Sequence, residues 1–323
     1  MMSSRTLLIG LLILAVASLG LAISVGSVPI GWRSLWTLPI SGGTDLERTL
    51  ILDVRLPRAA AAFAVGGLLA LAGTLMQVLL RNPLADPYVL GISGGAAVAA
   101  LTAMLLGLSG MGLTAAAFGG ALLTMAMVFT LARKGDSWNP TRLLLTGVVI
   151  ASGWAALIGF ILTVSPDTAL KNMLFWLMGD LSFAGNAFSA LGVLAVGLAL
   201  ALFIARDLNI LARGQLQAMA LGVATGTLSL IIYTLASLLT ASAVTLAGSV
   251  GFVGLIVPHL IRMLGTTDHR TLLPCAVLLG GSLVVAADTL ARTVLAPLQL
   301  PVGIITALLG VPMFLYLLNR RAR

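Results

Sequence analysis

Between Arg213 and Arg262 the chain carries no aspartate, glutamate, lysine or arginine. A helix rises about 1.5 Å per residue and the hydrocarbon layer of a bilayer is roughly 30 Å thick, so about 20 apolar residues cross it once. This uncharged stretch is long enough to cross twice. Similar runs fill the rest of the 323 residues, of which 59% are hydrophobic and 9% charged. An ordinary soluble domain carries roughly 25% charged residues, and so few cannot cover a water-facing surface of this size. The expected fold is an all-α integral membrane protein: a single transmembrane domain over 1–323, with no soluble domain.

Ten spans are predicted, at 6–29, 56–80, 91–108, 112–133, 142–164, 187–206, 219–240, 246–264, 271–294 and 303–319. The third and fourth are divided only by Gly107–Gly112. The turn between the seventh and eighth is expected near Thr240–Thr245, where Thr and Ser replace Leu. The first run follows Arg5 and resembles a signal peptide at its start. It continues to about Gly31 without a polar cleavage region, which favours a retained helix. With both termini on one side, that side collects twelve of the 18 basic residues, among them Arg5, Arg81, Arg133, Lys134, Arg142, Arg206, Arg213 and Arg262. The excess of basic residues in cytoplasmic loops places both termini in the cytoplasm. The formal charge of +8 therefore reflects orientation in a membrane rather than nucleic-acid binding, because the basic residues sit singly at the ends of apolar runs.

Catalytic and cofactor motifs are missing. No Gly-x-x-x-x-Gly-Lys-[Ser/Thr] loop is present to cradle phosphates, and neither His-Glu-x-x-His nor Gly-x-Ser-x-Gly occurs. Cys275 has no partner for a disulfide within the chain, and His259 and His269 do not fall in a metal-ligand spacing. The chain is expected to be neither an enzyme nor a holder of a cofactor or metal; ATP and its magnesium, if used, belong to another polypeptide. Asp288 is the one acid inside a predicted span. Arg292, four residues on, shares its helix face and can pair with it. No acid is placed near the bilayer midplane, where ion-coupled secondary transporters place ionisable groups. Secondary transport is the alternative reading, since unwound carbonyls could still bind an ion.

Three loops and one glycine-rich stretch stand out. Trp32 and Trp36 suit an outer interface belt. Leu170, Met173, Leu174 and Leu177 recur at helical spacing within 165–186, as in a short amphipathic helix on the outer surface. In 206–218, Arg206, Asp207, Asn209, Arg213, Gln215 and Gln217 alternate with Leu208, Ile210 and Leu211, as in short helices offering an apolar face to a partner. Gly248-Ser-Val-Gly-Phe-Val-Gly254 followed by Pro258-His259 suggests a broken helix. On the outer side, Arg55, Arg58 and Arg292 run against the charge bias. They can snorkel to lipid phosphate or receive carboxylates of a docking protein.

Several of these segments together resemble the FecCD/BtuC-like permeases of iron-siderophore, haem and vitamin B12 importers. They are Arg55-Leu-Pro-Arg58, Gly73-Thr-Leu-Met-Gln77, Arg81-Asn-Pro-Leu-Ala-Asp-Pro-Tyr-Val-Leu-Gly91, Gly248 through His259, Asp268-His-Arg270, Leu300-Pro-Val-Gly-Ile-Ile-Thr306 and Gly310-Val-Pro312. The resemblance runs from about residue 50 to the end. It implies ten spans in the bacterial inner membrane, a permease dimer of two like subunits with its pathway on the two-fold axis, two ATPase subunits beneath, a periplasmic substrate-binding protein and a metal-chelate substrate. By the same resemblance Arg55, Arg58 and Arg292 are docking residues for the binding protein. The loop about 206–222, with Leu208, Asn209, Ile210, Leu211, Gly214, Gln215, Leu221 and Gly222, becomes the coupling element for the ATPase. Asn82, Leu84 and Thr141 become cytoplasmic gate residues. Where the family often has Gly-Glu in the coupling loop, this chain has Gly214-Gln215; at the gate, Asn139-Pro140-Thr141 replaces a Ser/Thr run.

Overall fold

The structure, a computed structural model, describes residues 4–26, 45–132, 139–183 and 187–321. Trp32, Trp36, Arg133 and Lys134 lie outside the described residues. The elements are α1 (Ser4–Ser24), α2 (Asp45–Thr49), α3 (Leu56–Leu79), α4 (Ile92–Leu105), α5 (Met111–Ala132), α6 (Pro140–Val164), α7 (Asp167–Leu177), α8 (Ala187–Phe203), α9 (Ala205–Leu211), α10 (Gln215–Ala220), α11 (Thr225–Ala247), α12 (Val253–Met263), α13 (His269–Thr293) and α14 (Val302–Arg321). A π-helical stretch, Leu50–Arg55, joins α2 to α3. Asp45–Arg55, expected as loop, is therefore helical.

Among the described residues, six helices are long and apolar enough to cross a membrane: Ser4–Ser24, Leu46–Leu79, Met111–Ala132, Pro140–Val164, Thr225–Ala247 and His269–Thr293. The bent pair α8 and α9, at 59°, makes a seventh when counted as one. Three shorter apolar helices, Ile92–Leu105, Val253–Met263 and Val302–Tyr316, stand where the third, eighth and tenth spans are predicted.

The centre of the domain is α3. Its sequence, LPRAAAAFAVGGLLALAGTLMQVL, is apolar on every face, and a helix apolar all round belongs inside. Because lipid gives no hydrophobic drive between helices, close van der Waals packing of small residues does the work. A Cβ built on Gly66 would stand 2.1 Å from the Gly280 carbonyl oxygen of α13, and one on Gly73 would stand 2.0 Å from that of Gly254 in α12. Helices α8 and α11 cover the remaining flanks of α3. The periphery is the reverse. Val149 and Phe160 of α6 and Ile13 of α1 are each more than half exposed, which suits lipid or another subunit.

The turn expected at Thr240–Thr245 is not there. Helix α11 runs through it to Ala247, and the chain breaks at Gly248–Phe252 instead. Thr240, Ser242 and Thr245 each donate a hydroxyl to the carbonyl four residues back, at 2.7–2.8 Å. Hydroxyls satisfied in this way sit comfortably in an apolar helix. At Gly248 the backbone takes φ 64° and ψ −153°, a region open only to glycine. The eighth predicted span thus begins as a non-helical entry, and α12, with Pro258 inside it, has only 11 residues.

A second non-helical segment meets the first. Residues 80–91 lead from α3 into a 3-10 turn, Pro87–Leu90, capped by the Asp86 carboxylate, which accepts Tyr88 N–H at 2.8 Å. This segment penetrates the helical domain. The Val89 carbonyl oxygen would be 2.4 Å from a Cβ on Gly147, seven residues, or about 10 Å, into α6. Tyr88 Oη accepts the Val250 N–H at 3.0 Å, joining the two breaks. Backbone outside helices survives at this depth only where protein groups satisfy it.

Candidate functional site

Arg55, Arg58 and Arg292, expected on the outer side, form one constellation, and its centre is Asp288. Arg292 Nε donates to Asp288 Oδ2 at 2.9 Å, the pairing expected from the four-residue spacing. Arg58, from α3, donates through Nη2 to Oδ1 at 2.9 Å and through Nε to both oxygens at 3.1 and 3.2 Å. The second partner was not legible in sequence, because 230 residues separate it from Asp288. Arg58 also reaches Ser182 and Gln299 at 3.3 Å, and Asp180 lies 3.9 Å away. Arg55 donates to the carbonyls of Ile23 and Ser24 at 2.9 Å, and Arg292 to that of Ala22 at 3.3 Å. The last carbonyls of a helix lack partners and carry partial negative charge. Two guanidiniums therefore cap α1.

This arrangement gives all three arginines partners within the domain. It also ranks them: Arg55 and Arg292 are buried, whereas the Arg58 side chain remains 15% exposed. The structure brings the three docking candidates together, and Arg58 is the one nearest the surface.

On the opposite end, the loop about 206–222 folds as α9 and α10, the two short helices expected there. Its apolar face does not point where the sequence suggested. Leu208 and Leu211 are buried against the domain and Ile210 is half-buried, while Leu216, Met219 and Leu221 of α10 and its end are exposed. Leu208 and Leu211 anchor α9, and the free apolar surface belongs to α10. Gly214 and Gly222 flank α10 with positive φ, 133° and 80°, and Gln215 is half-buried.

Asn209 faces inward. Its Nδ2 donates to Asp268 Oδ1 at 2.7 Å, and its Oδ1 accepts the His269 N–H at 2.9 Å with His269 Nδ1 2.7 Å away. Asp268 also caps α13 by accepting Arg270 N–H at 2.9 Å. These hydrogen bonds hold the Asp268 carboxyl below its ordinary pKa. Sequence reading placed Asn209 in the coupling loop and quoted Asp268-His269 as a motif, without seeing that they meet.

Of the gate candidates, Asn82 accepts Leu84 N–H at 2.9 Å, and both are exposed. Thr141 is exposed in the first turn of α6, whose start Asn139 caps by accepting from Thr141 and Arg142 N–H at 2.9 and 3.3 Å. A small cleft lined by Leu79, Arg81, Pro140, Leu143, Leu211 and Gln215 brings both gate flanks against the coupling loop. Gln77 adds a tie that sequence reading missed. Its Nε2 donates to Leu255 O at 3.2 Å and lies 3.5 Å from the carbonyls of Gly254 and Ala85, and its Oε1 accepts from Arg262. Pro258 leaves the Gly254 carbonyl without its helical donor, and Gln77 stands there. A lone Gln and a lone Arg in apolar runs were the available signal.

With this geometry in place, comparison with known proteins gives a consistent result. The FecCD transport family matches residues 11–320. The cobalamin import system permease protein BtuC of Halobacterium salinarum is 40% identical, over 93% of this chain and 82% of that protein. The hemin transport system permease protein HmuU of Yersinia pestis is 40% identical, over 96% and 94%. A metal-chelate type ABC transporter solved in an inward-facing conformation superposes with a TM-score of 0.83 at 30% identity, covering 98% of this chain and 99% of the other. The chain belongs to the FecCD transport family and is an ABC transporter permease of the metal-chelate import class.

Proposed function

We propose that the chain is the transmembrane subunit through which an ATP-driven importer carries one metal chelate, a cobalamin, a haem or a ferric siderophore, into the cytoplasm. The observation that carries the reading is the near-complete alignment with permeases named for cobalamin and hemin. In this reading the ten apolar helices at the predicted positions all cross the inner membrane, with both termini cytoplasmic. Two copies pair around the pathway. Two ATPase subunits seat α10, through Gln215, Leu216, Met219, Leu221 and Gly222, and their closure drives alternating access. The gate at Asn82, Leu84 and Thr141 adjoins the coupling loop through the cleft already described. A periplasmic binding protein docks a carboxylate at Arg58, which Asp288 orients, with Arg55 and Arg292 fixed behind it. No covalent chemistry occurs in this chain, and the substrate's metal remains cargo throughout.

The test is reconstitution of the permease, its ATPase and its binding protein in liposomes, with cyanocobalamin, haemin and a ferric hydroxamate offered in turn. One of them should accumulate only with internal ATP. If none does, or if uptake follows an ion gradient without ATP, the proposal fails.

A further inference from the structure

Besides the apolar anchoring of Leu208 and Leu211, helix α9 has bent connections to its neighbours in the chain and a polar tie to α13. Towards α8 it leaves at a 59° bend. Towards α11 the chain passes Gly222 at positive φ, whereas Gly214 is tied to both short helices, its N–H donating to the Leu211 carbonyl and its own carbonyl accepting the Ala218 N–H, each at 3.0 Å. Motion imposed on this loop would be absorbed at such joints. Against α13 the opposite holds. Asn209 spends both ends of its amide on the first residues of α13, through the three close contacts to Asp268 and His269. The bonding pattern is self-consistent. Asn209 Nδ2 must donate to the Asp268 carboxylate, so Oδ1 faces His269 and can only accept, and the His269 proton sits on Nδ1. His269 is 3% exposed, and its Nε2 finds no partner among the described residues. The imidazole is thus committed to Asn209 alone.

Helix α13 is in turn locked to α3. A Cβ on Gly280 would lie 2.5 Å from the Gly66 carbonyl oxygen, and one on Gly281 would lie 2.5 Å from the Phe63 ring. Backbones in such contact cannot slide independently. At one end of this pair, α3 runs directly into Asn82 and Leu84. At the other, Arg58 of α3 and Arg292 of α13 share Asp288. The two helices form one body that carries the gate flank at its cytoplasmic end and the arginine group at its outer end.

We infer that Asn209, Asp268 and His269 are the joint by which the coupling loop moves α13, and that α13 and α3 move together from gate to outer arginines. Asn209 is a positioning residue in this scheme: it touches neither cargo nor nucleotide. The inference rests on the permease reading and goes beyond it, because it names the helix pair that receives the motion.

The test uses the full chain assembled with its ATPase in liposomes, in a Cys275→Ala background. Spin labels at exposed Leu290 of α13 and exposed Val149 of α6 report the α13–α6 distance with and without ATP and vanadate. The unaltered joint should show a nucleotide-dependent distance change. Asn209→Asp sets two carboxylates face to face, and Asp268→Ala breaks the contact while leaving α9 intact. Each should reduce the shifted population about fivefold or more, the usual scale of a lost coupling. The exchange N209D/D268N restores a carboxylate–amide pair in reverse and should restore the shift, which a merely misfolded helix end would not do. A full shift in N209D or D268A, or no recovery in the exchange, overturns the joint. Failure of the unaltered chain to bind any ATPase removes the permease reading itself, a distinguishable result.

Discussion

Asp288 is one carboxylate serving two guanidiniums from different helices, nearly all of it out of contact with solvent. Removing one partner from a buried charge network strands the others, at a cost of about 3–5 kcal/mol. Asp288→Leu should therefore lower the thermal midpoint of the detergent-solubilised protein sharply. Asp288→Leu with Arg58→Leu and Arg292→Met should recover much of that loss, because no bare charge remains. Equal midpoints for the wild type and Asp288→Leu would show that the cluster is held otherwise. Asp86 makes a pH prediction. Although part of its surface is accessible, the protein around it desolvates the carboxylate and raises its pKa to about 6, against a usual value near 4. Between these values the folded protein binds more protons than the unfolded one, so stability should fall as pH rises from about 4 to 6 and level off above. Asp86→Asn keeps an oxygen for the Tyr88 cap and should flatten that slope. An unchanged pH profile of the midpoint would contradict the assignment. For Asp268 the sign is opposite: its lowered value stabilises the fold at neutral pH, and that contribution is lost only as pH falls through the acid range.

Among the elements, the pair α3 and α13 carries the strictest packing demand. Gly66→Ala places a methyl group against the α13 backbone, which cannot yield as a side chain does. Overpacking of this kind costs about 1–3 kcal/mol, read as a lower midpoint and poorer recovery of folded protein. Gly159→Ala on the exposed face of α6 meets nothing within 4 Å. It should be neutral or stabilising by up to about 1 kcal/mol through helix propensity. Equal effects of the two would refute the close approach. Both positions read alike in sequence, as glycines within apolar runs, because a helix sequence shows its own periodicity and not what stands opposite. The same limit explains α11. Thr and Ser interrupt leucine as a turn would, whereas hydroxyls bonded to their own helix leave no trace in the pattern. The four-residue spacing of Asp288 and Arg292 is local and was therefore legible, and Arg58, Asn209 and Asp268 joined their partners only through the fold.

For the molecule as a whole, composition and the length of apolar runs were enough to specify a helical membrane domain; apolar helices stand near the predicted places, six of them, among the described residues, long enough to cross a membrane. The boundaries that failed, at Asp45–Arg55 and Gly248–Phe252, are those where the chain departs from a plain spanning helix. Such departures are set by tertiary contacts: Tyr88 with Val250, Gln77 with the carbonyls near Pro258. The membership of the FecCD transport family agrees with a helical membrane chain that carries one polar constellation around Asp288 and another around Asp268. In the proposed function the power stroke comes from a separate ATPase. The most direct test is uptake of the cognate chelate by proteoliposomes holding the permease with either an active ATPase or one disabled in its phosphate-binding lysine. Uptake should require the active ATPase and persist when ionophores collapse every ion gradient. Uptake that survives the disabled ATPase and vanishes with the gradients would contradict the account.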